Sequence, residues 1–287
     1  MNDKMKNLWV RSVSGAVLVV VVLGAILWSK WSFAALLMAI LIGGESEFYR
    51  MAQKAGYAPQ KILGFVAGAI ILIVAFILMW MFDRGSSVSS HYLMLAFGLI
   101  LYIMLLLPTM FICELYRKSP TPIANIGSTL MGVVYVAMPL ALLFFIPLLL
   151  GRGVWNPWAL IFYIFIIWAN DVCAYLVGMS IGKHRLFQRI SPKKSWEGFI
   201  GGLVGAMVMG YVASTFMEGT HAIWIGMALI AAITGVFGDL VESLLKRSVD
   251  VKDSGNILPG HGGWLDRFDA LLLSIPFVFI YLVFCID

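Results

Sequence analysis

The stretch from Lys246 to Ala270, KRSVDVKDSGNILPGHGGWLDRFDA, gathers residues able to handle an anionic ester. Gly255, Pro259, Gly260, Gly262 and Gly263 permit tight turns that bring backbone N–H groups close to oxyanions. Lys246, Arg247, Lys252 and Arg267 can neutralise those oxyanions. Asp266 and Asp269, at i and i+3, place two carboxylates on one face of a helix start, and hard oxygen ligands of this kind suit Mg²⁺, which also takes phosphate oxygens. His261, set among the glycines, is a candidate general base, phosphate donor or metal ligand, and can equally cap a turn. A Gly/Pro-rich loop taken alone is usually only a loop, so the surrounding charges carry the reading: the parts of a metal-assisted phosphoryl-transfer site.

Two further carboxylates stand inside apolar segments, where an ionised group is costly unless paired or bound to a cation. Asp171 lies midway along one such segment and Asp239 late in another. On a helix Asp239, Glu242 and Lys246 share one face, with Ser243 beside them. This arrangement reads either as a polar stripe that pairs internally or as the wall of a substrate or ion path. Upstream, SPKKSWEG (Ser191 to Gly198) supplies Lys193 and Lys194. There Ser195 is suited to cap the following helix and Glu197 to complement its dipole. The plain alternative for this segment is an interfacial Lys/Trp anchor.

The elements that must position these groups are set by composition. The chain has 287 residues, of which 61% are hydrophobic and 12% charged, against about 25% charged in soluble domains. It belongs in a bilayer and is expected to be all-α. Apolar runs of about 17–25 residues are long enough to cross one, and nine are read here: Val10–Trp28, Trp31–Arg50, Lys61–Phe82, His91–Cys113, Asn125–Leu150, Pro157–Ile181, Trp196–Met217, His221–Lys246 and Arg267–Ile286. Residues 1–124 form an N-terminal set of helices and 125–287 the catalytic region of one continuous membrane domain, with Gly43 to Lys61 read as a connecting turn. The first run, though preceded by Lys4, Lys6 and Arg11, has no small-residue cleavage site after it and reads as a spanning helix. Cys113, Cys173 and Cys285 form no CxxC pair and suggest neither disulfide nor zinc site.

With a cytoplasmic N-terminus, only Lys30, Arg84 and Arg152 of the 20 Lys and Arg fall on the far side, as the positive-inside rule requires. The net charge of +5 is then topology and attraction to anionic lipid or substrate, not a nucleic-acid signal. The lone His91 and His221 fall near outer span ends, and His184 joins a basic cytoplasmic surface.

The run Ser243-x-Leu-Lys-Arg-x4-Lys-Asp-x-Gly-x2-Leu-Pro-x-His-Gly-Gly-x2-Asp-Arg-Phe-Asp269 resembles the signature of the phosphatidate cytidylyltransferases, or CDP-diacylglycerol synthases. SPKKSWEG, GDLVES and the Asp171…Ala174-Tyr175 pattern are similar to further blocks of that family, in its order. The resemblance is strong over the C-terminal part; the N-terminal helices are similar only in hydropathy. It implies an inner-membrane enzyme, its site facing the cytoplasm, that joins CTP to phosphatidic acid. It also implies that Asp239 and Asp266 bind the catalytic metal, Mg²⁺ with K⁺ as a candidate companion. Membrane lipids are expected neighbours and a second copy of the chain is a candidate partner, though the sequence does not set the oligomeric state. Two departures add bulk without removing charge: Trp264 stands where an aliphatic residue or Phe is usual, and Val172-Cys173 where Thr-Gly is usual.

Two other classes compete. Intramembrane Asp171 and Asp239 among Gly-rich helices would suit a cation-coupled carrier, but the acidic groups gather with a basic loop and no paired broken helices are seen. A phosphatidyltransferase that consumes CDP-lipids would carry a DG-x2-AR-x8-G-x3-D arrangement, which the sequence lacks.

Overall fold

The computed structural model describes residues 3–83, 90–217, 219–255 and 262–285, and side chains are considered from residue 13 onward, leaving aside those of 90–92. Eight helices among the described residues are long and apolar enough to cross a membrane, and Val13–Trp28 is a shorter apolar one. The chain is an all-α polytopic integral membrane protein. In chain order the helices are α1 (Asp3–Trp28), α2 (Lys30–Lys54), α3 (Lys61–Asp83), α4 (Ser90–Arg117), α5 (Pro122–Gly132), a π-helical stretch (Val133–Ala137), α6 (Met138–Leu143), α7 (Ile146–Leu150) and α8 (Pro157–Ile181). They are followed by strands β1 (Arg185–Phe187) and β2 (Ser191–Ser195), then α9 (Trp196–Phe216), α10 (His221–Ser248) and α11 (Leu265–Cys285).

Local chemistry sets the boundaries. Ser29 and Ser32 form a reciprocal capping box at the start of α2, satisfying two orphan N–H groups. Asn156 caps α8 ahead of Pro157, a residue that fits the first helical turn because it has no N–H to lose. The run 125–150, read from sequence as one helix, is interrupted. The Met138 N–H reaches back to the Val133 carbonyl, a π register that ends just before Pro139, whose missing N–H and ring prevent a regular α ladder. A second break at Phe144–Phe145 precedes Pro147.

By packing, the chain forms two compact units, residues 1–144 with 248–267, and residues 145–247 with 268–287; the sequence reading instead divides it at 124/125. In the first unit α2, α3, α5, α6 and the π stretch enclose buried Phe33, Leu41, Ile71, Val136 and Phe144. The Tyr49 ring occupies the space left by Gly64 and Gly132, and its hydroxyl donates to the Thr129 carbonyl at 3.2 Å. Buried Glu114 accepts from Gln60 Nε2 (2.7 Å), Asn125 Nδ2 (2.7 Å) and Arg117 Nη1 (2.8 Å). The expected turn from Gly43 is corrected here: α2 continues to Lys54. Its acidic residues Glu45 and Glu47 are buried, so charge there does not mark a solvated connection.

In the second unit α8 packs along α9 through small residues. A Cβ on Gly201 would run into Val177, one on Gly202 into Asn170, and one on Gly205 into Cys173. Tyr163 and Ser274 share a buried hydrogen bond of 2.6 Å between α8 and α11. The tight α8–α9 seam sets the middle of α8, which carries Asp171, against the first half of α9, with Asn170 facing Gly202 and Cys173 facing Gly205. Gly202→Leu should open this seam and lower the stability of the detergent-solubilised protein by about 1–3 kcal/mol, the usual cost of overpacking, read as a fall in thermal midpoint.

Candidate active site

The second unit contains the acidic group. Asp239, Glu242 and Asp269 each offer a carboxylate oxygen, and these oxygens lie within 4.8 Å of one another. Helical spacing on α10 places Asp239 and Glu242 together, and α11 brings Asp269 to them because Gly238 lets its backbone approach: a Cβ there would strike the Asp269 carbonyl and Ala270. Glu242 is fully buried. Three hard oxygen donors at this separation could hold a divalent cation such as Mg²⁺.

Lysines complete the arrangement. Lys194 Nζ lies 2.7 Å from Asp239 Oδ2 and also donates to the Val236 carbonyl at 3.4 Å. Lys246 Nζ lies 2.5 Å from Glu242 Oε2, one helical turn on. Ser243 Oγ donates to Asp239 Oδ1 at 3.3 Å. Asp171 interacts electrostatically with Lys194 and Asp239, and Asp269 with the same three residues. The face expected from i, i+3 and i+7 spacing therefore exists. It pairs internally and also gathers groups from α8, β2 and α11.

Lys194 reaches the site from a β-hairpin, an element absent from the all-helical expectation. β1 and β2 pair antiparallel, Arg185 opposite Ser195 and Phe187 opposite Ser191, with Lys193 exposed on β2. The hairpin is held to α9 by its caps. Ser195 Oγ accepts from the Gly198 N–H at 3.1 Å, while Glu197 accepts from the Lys183 N–H (3.1 Å), the His184 N–H (3.2 Å) and pairs with His184 Nδ1 (2.6 Å). His184, expected in a basic surface, is thus tied to a carboxylate.

The signature loop belongs to the first unit. Asp266 Oδ2 accepts from the Ser254 N–H (2.9 Å), the Ser254 hydroxyl (2.9 Å) and the Gly263 N–H (2.8 Å). Gly262 has φ +85°, a left-handed conformation that favours glycine. Lys252 and Arg267 are exposed in this unit, and Arg247 is exposed in the last turn of α10 in the other. His261 lies outside the described residues, as do Pro259 and Gly260.

Trp264 and Cys173, one from each departure, have a glycine opposite them, and Val172 is exposed. The Trp264 ring occupies the place of a Cβ on Gly43, and Cys173 that of one on Gly205. The sequence pattern assigns Glu242 to the polar face of α10 but not to the metal ligands, and it assigns Glu47 no role. The available signal was an acidic residue within an otherwise apolar helix.

Fold and site together define a polytopic helical membrane protein with a cation-competent acidic group flanked by lysines. Residues 9–285 match the profile of the Cytidylyltransferase family, and the chain belongs to that family. A phosphatidate cytidylyltransferase from Staphylococcus aureus (strain COL) is 48% identical over 120 residues, 41% of this chain and 46% of that relative. One from Bacillus subtilis (strain 168) is 50% identical over 120 residues, 41% of this chain and 44% of that relative. The match spans a little under half the length of these curated relatives.

Ser195→Ala should remove the α9 cap at a cost of about 1 kcal/mol. A lowered thermal midpoint and faster amide exchange at Gly198 would be the readouts.

Proposed function

We propose that this chain is a phosphatidate cytidylyltransferase, transferring CMP from CTP to phosphatidic acid to give CDP-diacylglycerol and diphosphate. The observation that carries the reading is the group of Asp239, Glu242 and Asp269 with Lys194 and Lys246 at ion-pair distance, in a chain of the Cytidylyltransferase family.

The reaction joins two anions. A phosphate oxygen of phosphatidic acid forms a bond to the α-phosphorus of CTP, and the bond from that phosphorus to the bridging oxygen of the β-phosphate breaks, releasing diphosphate. The nucleophile is already ionised, so a general base is dispensable and the work is approach and charge compensation. Asp239, Glu242 and Asp269 fit Mg²⁺, which when bound supplies positive charge to the phosphates; K⁺ is a second candidate ion. Asp266 enters as a metal ligand on the resemblance alone. Lys193, Lys194, Lys246 and Arg247, with Lys252 and Arg267 of the signature loop, clamp phosphate oxygens. Ser243 and Asp171 orient them, and His261 assists without being required for proton abstraction.

The active site faces the cytoplasm in this reading, where CTP is available, with membrane lipids as neighbours and a second copy of the chain as a candidate partner. Cysteine labelling is expected to place the segments around Lys118, Lys193 and Lys252 inside and that around Arg152 outside. The reverse pattern would sink the topology.

The activity test is purified protein with labelled CTP and phosphatidate, read as a CTP-dependent lipid product. Asp239→Asn and Asp266→Asn should each lower turnover at least about a hundredfold while leaving the protein folded, since loss of a carboxylate changes charge and geometry at once. Lys194→Gln should raise the apparent KM for a phosphate substrate without abolishing metal binding. Near-normal activity in either Asn variant would remove that residue from the site.

A further inference from the structure

Glu47 on α2 is far in sequence from the signature loop, yet the loop is built around it. Its side chain is completely buried. Oε1 accepts from the Trp264 N–H at 2.9 Å, and Oε2 accepts from the Leu265 N–H at 3.0 Å and from the Ser254 hydroxyl at 2.8 Å. Leu265 is the first residue of α11, so a carboxylate from another helix satisfies N–H groups that the start of a helix leaves without intrahelical acceptors, and its charge suits the positive end of the dipole. Gly255 and Gly263 have the same origin. A Cβ on Gly255 would collide with the Glu47 carboxylate, and one on Gly263 with that carboxylate and with Ser254 Oγ.

Ser254 joins Glu47 to Asp266. Its single hydroxyl hydrogen faces Glu47 Oε2 at 2.8 Å and Asp266 Oδ2 at 2.9 Å, while its N–H and that of Gly263 also point at Asp266 Oδ2. The backbone that holds Asp266 is thus the backbone that Glu47 fixes, at Ser254 on one side and at Trp264 and Leu265 on the other. A carboxylate suits this position because it presents acceptors on both oxygens and no donor. Gln would turn an NH₂ group toward one set of donors, and Ala would leave the Trp264 and Leu265 N–H groups without an acceptor, the Ser254 hydroxyl keeping only Asp266.

We propose that Glu47 is the positioning residue of the signature loop, setting the orientation of the Asp266 carboxylate through Ser254 and through the capped start of α11. That this orientation serves cytidylyl transfer rests on the functional reading above; that Glu47 sets it does not.

The test uses the full-length protein in detergent, with Glu47→Gln and Ser254→Ala. In Glu47→Gln, hydrogen exchange across residues 262–266 should quicken by about tenfold or more without metal or substrate, while exchange in α3 stays as in the wild type. The Mg²⁺ concentration for half-maximal activity should rise by about tenfold, the usual scale for loss of a partner that orients a metal ligand. A smaller active fraction lowers the maximal rate but does not move that concentration. Ser254→Ala keeps both carboxylates and removes only the shared hydroxyl, so it should shift the Mg²⁺ requirement in the same direction by a smaller factor; it decides the matter if Glu47→Gln does not fold. Unchanged loop exchange together with an unchanged Mg²⁺ requirement overturns the proposal. A wild-type protein that makes no CTP-dependent lipid overturns the functional reading instead, and the exchange measurement then still decides the role of Glu47.

Discussion

A carboxylate buried between membrane helices has no water to turn to, and this constraint organises both units. An ionised side chain placed there needs cations, N–H groups or hydroxyls from the protein, because desolvation without a partner costs several kcal/mol; buried Glu45, whose oxygens have no hydrogen-bond partner among the described residues, is the exception. Glu114 takes Gln60, Asn125 and Arg117. Glu47 takes two backbone N–H groups and a serine. Glu242 takes Lys246, and Asp239, which is only half-buried, takes Lys194. Removing one partner would leave its mate exposed to the full desolvation penalty, so these groups fix the register of the helices that carry them.

Glycine is the other side of the same constraint. Carboxylates and aromatic rings reach their partners only where a neighbouring backbone comes unusually close. Gly238 admits the turn that carries Asp269, and Gly255 and Gly263 admit the Glu47 carboxylate. The two bulky departures from the family pattern follow this rule: Trp264 is accommodated at Gly43 and Cys173 at Gly205, so neither displaces a charged group. Bulk on one element is balanced by its absence on the facing one, which keeps packing dense without strain.

In the second unit this architecture yields a site with both signs of charge in contact. Three carboxylates with two lysines in ion-pair contact suit an anionic substrate that arrives with a divalent cation, since the carboxylates attract the cation and the lysines the phosphates. The same pairs hold the carboxylates in place within the protein, so the polar stripe and the proposed substrate site are one structure.

The spans were legible in the sequence because a bilayer imposes length and apolarity on each helix independently of its neighbours. The run from Pro157 to Ile181 and the start of α9 at Trp196 coincide with the helices formed. The shared face of Asp239, Glu242 and Lys246 was also legible, being a property of 3.6 residues per turn. The tertiary structure alone decided what separate segments bring together. Nothing in the local pattern of SPKKS specifies a strand that carries Lys194 to Asp239. Glu47 shows the limit most plainly. In sequence it is one of two acids in GGESE, resembling the polar end of a span, because a hydropathy pattern records how apolar a segment is and not which distant N–H groups will meet its charge. Only the folded chain, by bringing Trp264, Leu265 and Ser254 against α2, gives that carboxylate its partners.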